Sequence, residues 1–147
     1  MKESNPKSPM ELFGIECEDG WATLYRPLMI YIEEYNKHVE KEEDKIVILQ
    51  IKEKFGGLRF YTNFTDDTLR ELIDSSEERS YHMCERCGSE TDVYHTCGYI
   101  QTLCLHCLKK IVEKEGRPIM IIKDDETQQK YWLNTKLELE EYKQDLP

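Results

Sequence analysis

Two pairs of cysteines constrain this chain more than any other feature of its sequence. Each pair has the spacing C-x-x-C, and sixteen residues separate the pairs. The four cysteines are Cys84, Cys87, Cys104 and Cys107. This spacing is typical of sites in which four thiolates surround one tetrahedral zinc ion. Gly88 follows the first pair and lets the backbone turn beneath a metal without a Cβ clash. The sequence therefore predicts a structural Zn²⁺ site within a zinc-knuckle element at residues 82–108.

The same cysteines also permit other interpretations. Two disulfides or four free thiols are one alternative, and replacement of one ligand by His95 or Cys97 is another. The N-terminal residues lack the basic start and apolar run of an export signal, and the longest apolar runs are too short to span a bilayer. Paired cysteines in a reducing compartment are more often metal ligands than disulfides. We therefore expect a cytoplasmic protein that does not enter a membrane.

The charge of the chain limits its partners. Lys and Arg total 20 against 30 Asp and Glu, which gives a formal net charge of −10. Binding to a phosphate backbone needs a cationic surface, so we expect no direct contact with nucleic acid. The acidity favours a protein partner with a basic or aromatic-accepting surface, although an acidic surface is often only a means of staying soluble.

Hydrophobic periodicity predicts an α+β fold with a small antiparallel sheet and flanking helices. We expect a mobile N-terminal arm at residues 1–19, followed by an α+β domain at residues 20–123. An amphipathic helix is predicted from about Trp21 to Val39. A strand at Lys45–Lys54 precedes Gly56-Gly57, whose positive φ angles would allow a β-hairpin.

The second half of the chain continues with short elements. A helix that starts near Thr65 precedes the cysteines, and a short hairpin is predicted between them. A helix at Leu105–Glu115 and a strand at Ile119–Ile122 follow. The acidic segment at residues 124–147 is predicted to be helical, with the alternative that Tyr131–Leu133 is a strand paired with Ile119–Ile122.

The motifs of common enzymes are missing. Four thiolates close the coordination shell of a zinc ion and leave no position for water, which makes the site structural and not hydrolytic. The sequence contains no H-E-x-x-H, no G-x-S-x-G and no phosphate-binding glycine loop. We therefore expect a protein that is not an enzyme. A zinc-stapled nuclease is an alternative, but its usual His-rich finger is not evident.

Arg59 is the one cation within an apolar and aromatic stretch of the hairpin. It could form an ion pair with Glu53 or with an acid of a helix. It could also be presented at an interface, where Arg and aromatic residues concentrate. The predicted partner-binding residues are Trp21, Phe55, Arg59, Tyr61 and Trp132.

Several motifs occur together in one order. These are Gly20-Trp21, the hairpin K-E-K-F-G-G-L-R-F-Y that ends at Tyr61, C-x-x-C-G from Cys84, and T-L-C-x-x-C that ends at Cys107. In this the chain resembles small bacterial and phage proteins that carry the same hairpin ahead of a cysteine knuckle pair. The resemblance covers about Gly20 to Cys107 and implies an inhibitor of the phage anti-defence or toxin-immunity type.

A weaker similarity is to zinc fingers of small transcription regulators that act on RNA polymerase, whose long N-terminal coiled coil is missing here. The function expected from the sequence is therefore a non-enzymatic, zinc-stabilised protein that binds and inhibits a larger cytoplasmic protein. The alternatives are a transcription-linked zinc finger that acts on RNA polymerase and the zinc-stapled nuclease.

Overall fold

A computed structural model of the chain describes residues 14–143. Most of the arm predicted at residues 1–19 and the last four residues of the acidic segment lie outside this range. The fold is α+β, as predicted. No helix within residues 14–143 combines the length and the apolar composition needed to cross a bilayer.

The described elements form two sheets and three α-helices. In chain order they are β1 (Ile15–Glu16), α1 (Ala22–Lys37), β2 (Ile48–Lys54), β3 (Gly57–Thr62), α2 (Asp67–Ser80), β4 (Val93–Thr96), β5 (Thr102–Cys104), α3 (Leu105–Glu115), β6 (Ile119–Lys123), β7 (Lys130–Leu133) and β8 (Leu139–Glu141). One sheet has the order β1-β2-β3 and the other has the order β5-β4-β6-β7-β8. Pairing is antiparallel except between β1 and β2, which run parallel.

Residues 15–83 form what we name the helix–hairpin half. Leu24, Leu28 and Ile32 recur at four-residue steps on one face of α1, and each is at most 4% exposed. This confirms the predicted amphipathic helix. Its buried face packs against α2 and against the apolar side chains of the first sheet.

The turn between β2 and β3 differs from the predicted one. Gly56-Gly57 is expected to supply both positive φ angles, but Phe55 (φ 53°) and Gly56 (φ 83°) supply them. These two residues form the loop because Lys54 pairs with Gly57 across the hairpin. Positive φ at both loop residues is the pattern of a type I′ turn. A Cβ on Gly57 would lie 2.4 Å from the ring of Tyr81, so packing requires this glycine.

Residues 84–141 form the cysteine half, which consists of the five-stranded sheet and α3. β4 and β5 form the predicted short hairpin between the two cysteine pairs. The predicted helix at Leu105–Glu115 is confirmed as α3. It ends at Gly116, whose φ of 69° and N–H bond to the Val112 carbonyl are those of a left-handed C-terminal cap.

The helix predicted in the acidic segment at residues 124–147 is wrong, because the described part of this segment forms β7 and β8 and contains no helix. The alternative prediction, that Tyr131–Leu133 pairs as a strand with Ile119–Ile122, is confirmed by the ladder between β6 and β7. Leu133 and Ile121 are both fully buried in one apolar cluster. Sheet pairing is favoured because it satisfies the backbone groups at the edge of β6 and removes Leu133 from water.

Close main-chain packing joins the two halves. The Gly20 N–H donates to the Glu85 carbonyl at 2.7 Å. Next to this junction, and within the helix–hairpin half, the indole N–H of the fully buried Trp21 donates to the Met83 carbonyl at 2.8 Å. A Cβ on Gly20 would lie 2.3 Å from the carbonyl oxygens of Cys84 and Glu85, so only glycine fits without a shift of the backbone.

Candidate metal centre

The four predicted ligands lie together in the cysteine half. Their Sγ atoms are all within 4.8 Å of one another, and those of Cys87 and Cys104 are 3.5 Å apart. Around a tetrahedral zinc ion with Zn–S bonds of about 2.3 Å, neighbouring sulfurs lie about 3.8 Å apart. The observed distances bracket that value. Four clustered cysteines of this geometry fit a metal ion, and zinc is the ion that this donor set favours.

The first cysteine pair lies in a tight turn. The Gly88 N–H donates to the Cys84 carbonyl at 2.8 Å, and the Cys87 N–H donates to the Cys84 sulfur at 3.5 Å. Gly88 has a φ of 83°, which glycine adopts at little cost. A Cβ there would also lie 3.0 Å from the Gly20 carbonyl oxygen. Gly88 therefore serves the metal turn, as predicted, and also the contact with the helix–hairpin half.

The second cysteine pair lies at a junction between a strand and a helix. Cys104 ends β5 and occupies the N-cap position of α3, and Cys107 lies in the first turn of that helix. Both are buried, whereas Cys87 is exposed. The N-terminus of a helix carries partial positive charge, which favours a thiolate over a thiol.

The protein surroundings shift the pKa values of three of these thiols in different directions. Burial raises the pKa of Cys104, and burial together with neighbouring Cys104 and Cys84 raises that of Cys107. Burial also acts on Cys87, but the Ser89 backbone N–H and the adjacent thiols outweigh it and lower the pKa of this cysteine. Buried thiolates need positive charge nearby, and a divalent ion supplies it.

The alternative ligands lie outside the cluster. His95 Nε2 is 2.7 Å from the Tyr81 carbonyl oxygen, and neither His95 nor Cys97 belongs to the one metal-sized group found among the described residues. Cys17 packs at the edge of the other apolar cluster. Burial, followed by the Glu85 carboxylate, raises the pKa of the Cys17 thiol to about 12. These groups do not replace a predicted ligand.

His82 and Asp124 form a contact that the sequence analysis does not predict. His82 Nδ1 lies 2.8 Å from Asp124 Oδ2, and His95 Nε2 lies 3.9 Å from Asp124 Oδ1. The hydrogen bond to Asp124 is the main cause of a raised pKa at His82. His82 and Asp124 are 42 positions apart, so the contact depends on the tertiary fold and has no local sequence signal.

The five predicted partner-binding residues do not share one surface. Trp21 is fully buried, so the prediction that it contacts a partner is wrong. Trp132 is half-buried in β7, in the other sheet from the hairpin. Phe55 and Tyr61 are 69% and 39% exposed, and both lie on the hairpin.

Arg59 is half-buried on the same hairpin. Its guanidinium donates to the Leu58 carbonyl at 2.9 Å and to the Tyr81 hydroxyl at 2.6 Å, with its carbon 5.7 Å from the centroid of the Tyr81 ring. In the described part of the chain no ion pair includes Arg59, so the pair with Glu53 or a helix acid is not formed. Glu53 instead accepts a hydrogen bond from the Gly56 N–H at 2.8 Å.

The sequence analysis also omits two lysines of β2. Lys52 and Lys54 lie on the face of the first sheet that carries Arg59 and Tyr61, because side chains alternate between the faces of a strand. Their spacing of two residues within a predicted strand is the signal that could have identified them.

Comparison with protein-family models, with curated proteins and with solved structures finds no match to this chain.

Proposed function

We propose that this protein is a zinc-stabilised binding protein that holds and blocks a larger cytoplasmic protein, with the tip of the β2–β3 hairpin as its contact. The observation that carries the proposal is Phe55, which is 69% exposed at a φ of 53°. A non-glycine residue in this conformation costs about 1–2 kcal/mol, and type I′ turns prefer Asn, Asp or Gly. The ring of Phe55 lies 5.7 Å from the Lys54 ammonium, which is a weak interaction at an exposed site. Stability does not account for phenylalanine here, whereas an aromatic anchor at an interface does.

The tip extends onto the other half of the molecule. Ile100 and Tyr99, in the loop between β4 and β5, are 40% and 76% exposed. The Ile100 side chain packs against Gly56, where an added Cβ would lie 2.8 Å from it, and the Thr102 hydroxyl donates to the Gly56 carbonyl at 2.6 Å. We name Phe55, Tyr99 and Ile100 the tip surface. It is composed of both halves, so a metal that holds the cysteine half also positions the surface.

Two further considerations support a binding role over a catalytic one. Four cysteine ligands would leave a zinc ion no open position for substrate or water. The motifs of the hairpin and the knuckles resemble those of bacterial and phage proteins, which favours an inhibitor of the anti-defence or toxin-immunity type. This last step is an analogy of motifs.

Capture of the partner from a bacterial lysate tests the proposal. The baits are the wild-type protein, Phe55→Asn, and Ile30→Gln as a control that removes a comparably exposed apolar side chain from α1 (61% exposed). Phe55→Asn keeps the turn, so the free energy of unfolding should rise by about 0.5–1 kcal/mol. It should nevertheless recover the partner about tenfold less well than either other bait, since aromatic anchors dominate interfaces. Addition of the wild-type protein should then lower the activity of the purified partner.

Equal recovery by Phe55→Asn and the wild-type protein would contradict the proposal. The same experiments separate the alternatives. Recovery of RNA polymerase would favour the transcription-linked zinc finger. Metal-dependent cleavage of nucleic acid by the purified protein would favour the zinc-stapled nuclease.

A further inference from the structure

The two faces of the β2–β3 hairpin carry different side chains. Ile51, Leu58 and Phe60 point into the core and are at most 3% exposed. The intervening residues point to the opposite side of the sheet. We name four of them the cationic face: Lys52, Lys54, Arg59 and Tyr61.

Within residues 14–143, no acid lies in ion-pair contact with the positive charge on this face. Lys52 and Arg59 lie directly opposite each other in the β2–β3 ladder, and like charges in that position destabilise a sheet. Among residues 14–143, no ion pair includes Lys52, Lys54 or Arg59. This is unexpected in a chain with 30 acidic and 20 basic residues. The fold therefore keeps three cations together without an acid in ion-pair contact.

Two acids on neighbouring elements accept hydrogen bonds from uncharged groups and form no ion pair with these cations. Glu16 of β1 is the register partner of Lys52, but its carboxylate accepts a hydrogen bond from the Gln50 amide at 3.3 Å. The Glu77 carboxylate of α2 accepts a hydrogen bond from the Phe60 N–H at 2.9 Å. Glu77 forms no ion pair with Arg59 among residues 14–143.

The cationic face is also shaped to receive an apolar group. A depression of about 530 Å³ on this side of the sheet is lined by Leu49, Gln50, Lys52, Tyr61 and Thr62. Leu49 and Tyr61 are each 39% exposed. Apolar and cationic groups thus alternate from this depression to Phe55 at the tip.

From this arrangement we infer that the cationic face is the docking site for an acidic segment of the protein partner. Carboxylates of the segment contact Lys52, Lys54 and Arg59, and an apolar or aromatic side chain of the segment enters the depression beside Tyr61. The inference rests on the proposed function and adds the chemistry of the bound segment. It reverses, for this face, the basic partner surface that the net charge predicts, because Lys52, Lys54 and Arg59 lie together here.

A protein segment fits this face better than a nucleic acid. Single-stranded nucleic acids need a cationic groove that follows several phosphates, whereas this face offers three cations. The net charge of −10 would repel a long phosphate backbone. A short acidic segment needs only a local cluster of opposite charge, with apolar contact to hold it.

A charge-reversal experiment with a defined probe tests the inference. The probe is a labelled random copolymer of glutamate and tyrosine, and oligo(dT) is the nucleic-acid comparison. Lys52→Glu/Lys54→Glu should weaken binding of the copolymer by about tenfold or more. Lys110→Glu/Lys114→Glu makes the same charge change on α3 and should stay within about twofold of the wild-type protein.

Three outcomes would overturn the inference: no binding of the copolymer, equal loss in both double variants, or tighter binding of oligo(dT) than of the copolymer.

The captured partner gives a separate test. Loss of the partner by Lys52→Glu/Lys54→Glu as well as by Phe55→Asn supports the acidic segment. Retention of the partner by the double lysine variant, with loss by Phe55→Asn, would leave the proposed function standing and refute the acidic segment.

Discussion

The helix–hairpin half and the cysteine half bury their apolar side chains in separate clusters of different composition. The first cluster has thirteen buried residues, among them the large side chains of Trp21, Leu28 and Phe60. The second has nine, and three of these are cysteines of the metal centre. The cysteine half thus places a five-stranded sheet and a helix over six other buried apolar residues.

This difference indicates what stabilises each half. Burial of large aliphatic and aromatic side chains contributes about 1.5–3 kcal/mol each, so the first cluster can support its half in the usual way. A small apolar core rarely stabilises a fold by itself, and a bound structural metal often supplies the missing folding free energy. We expect this of the cysteine half. The junction at Gly20 holds the two halves against each other, but each half buries its own apolar cluster.

Removal of the metal should have the largest effect and should act first on the cysteine half. Structural zinc supplies about 10 kcal/mol or more of folding free energy in small zinc-binding peptides. Chelation, or Cys107→Ser, should remove amide-exchange protection from β4–β8 and α3 while α1 and α2 stay protected. Hydrogen exchange measured by mass spectrometry gives both readings. Elemental analysis should find one zinc ion per chain.

Cys97→Ser is the matched control, because Cys97 lies outside the cluster. If chelation leaves the cysteine half protected, the metal does not stabilise it. If both halves lose protection together, the contrast between them is wrong.

Gly20→Ala should have the next largest effect, because it strains the contact between the halves while all four cysteines are kept. The added Cβ would lie 2.3 Å from two backbone carbonyl oxygens, so the knuckle must shift. Such overpacking costs about 2–3 kcal/mol. Gly98→Ala is the control: Gly98 has a φ of 82° but nothing within 4 Å of an added Cβ, which leaves a cost of about 1 kcal/mol. Urea unfolding measures the loss of unfolding free energy in each variant. An equal loss in Gly20→Ala and Gly98→Ala would show that the junction is not tightly packed.

Asp66→Ala should have the smallest effect, and it acts on the helix–hairpin half alone. The Asp66 carboxylate accepts hydrogen bonds from the Tyr31 hydroxyl and from the Leu69 N–H at 2.7 Å, as the N-cap of α2. These bonds, that of Tyr31 first, lower the pKa of Asp66 below its ordinary 3.8. The loss of this cap should cost about 1 kcal/mol at neutral pH.

The pH dependence of that cost has a defined sign. A pKa that is lower in the folded state gives stability that is complete above the unfolded value and is lost as the pH falls through the folded value. The difference between wild type and Asp66→Ala should therefore shrink between about pH 5 and pH 3. Urea midpoints at several pH values measure it, with Asp67→Ala as a control. Loss of metal at low pH affects all three proteins alike. A difference that stays constant with pH would contradict the role of the Asp66 carboxylate.

Local patterns in the sequence predicted much of the fold. The periodicity of Leu24, Leu28 and Ile32 predicted α1, and Gly116 predicted the end of α3. The spacing of the cysteines predicted the cluster, because two residues between ligands suit one tight turn around an ion. Each of these features depends on residues that are close in the chain.

Other features depended on contacts that no local pattern contains. The acidic segment is a strand because β6 has an open edge for it, and Leu133 completes the core beside Ile121. Trp21 is buried because it packs in the first cluster and its indole N–H bonds to the distant Met83 carbonyl. The hairpin turn is displaced by one residue because Lys54 pairs with Gly57, and the ring of Tyr81 leaves no space for a Cβ at Gly57.

The sequence by itself therefore determined the ligands, the main helices and the α+β class. Tertiary structure alone decided where the acidic segment pairs, which aromatic residues are exposed, and that Lys52 and Arg59 lie opposite each other with no acid of residues 14–143 in ion-pair contact. The physical reason is how far apart in the sequence the interacting residues are. Helical periodicity and ligand spacing act within a few residues, whereas strand pairing, burial and the compensation of charge depend on residues that only the complete fold brings together.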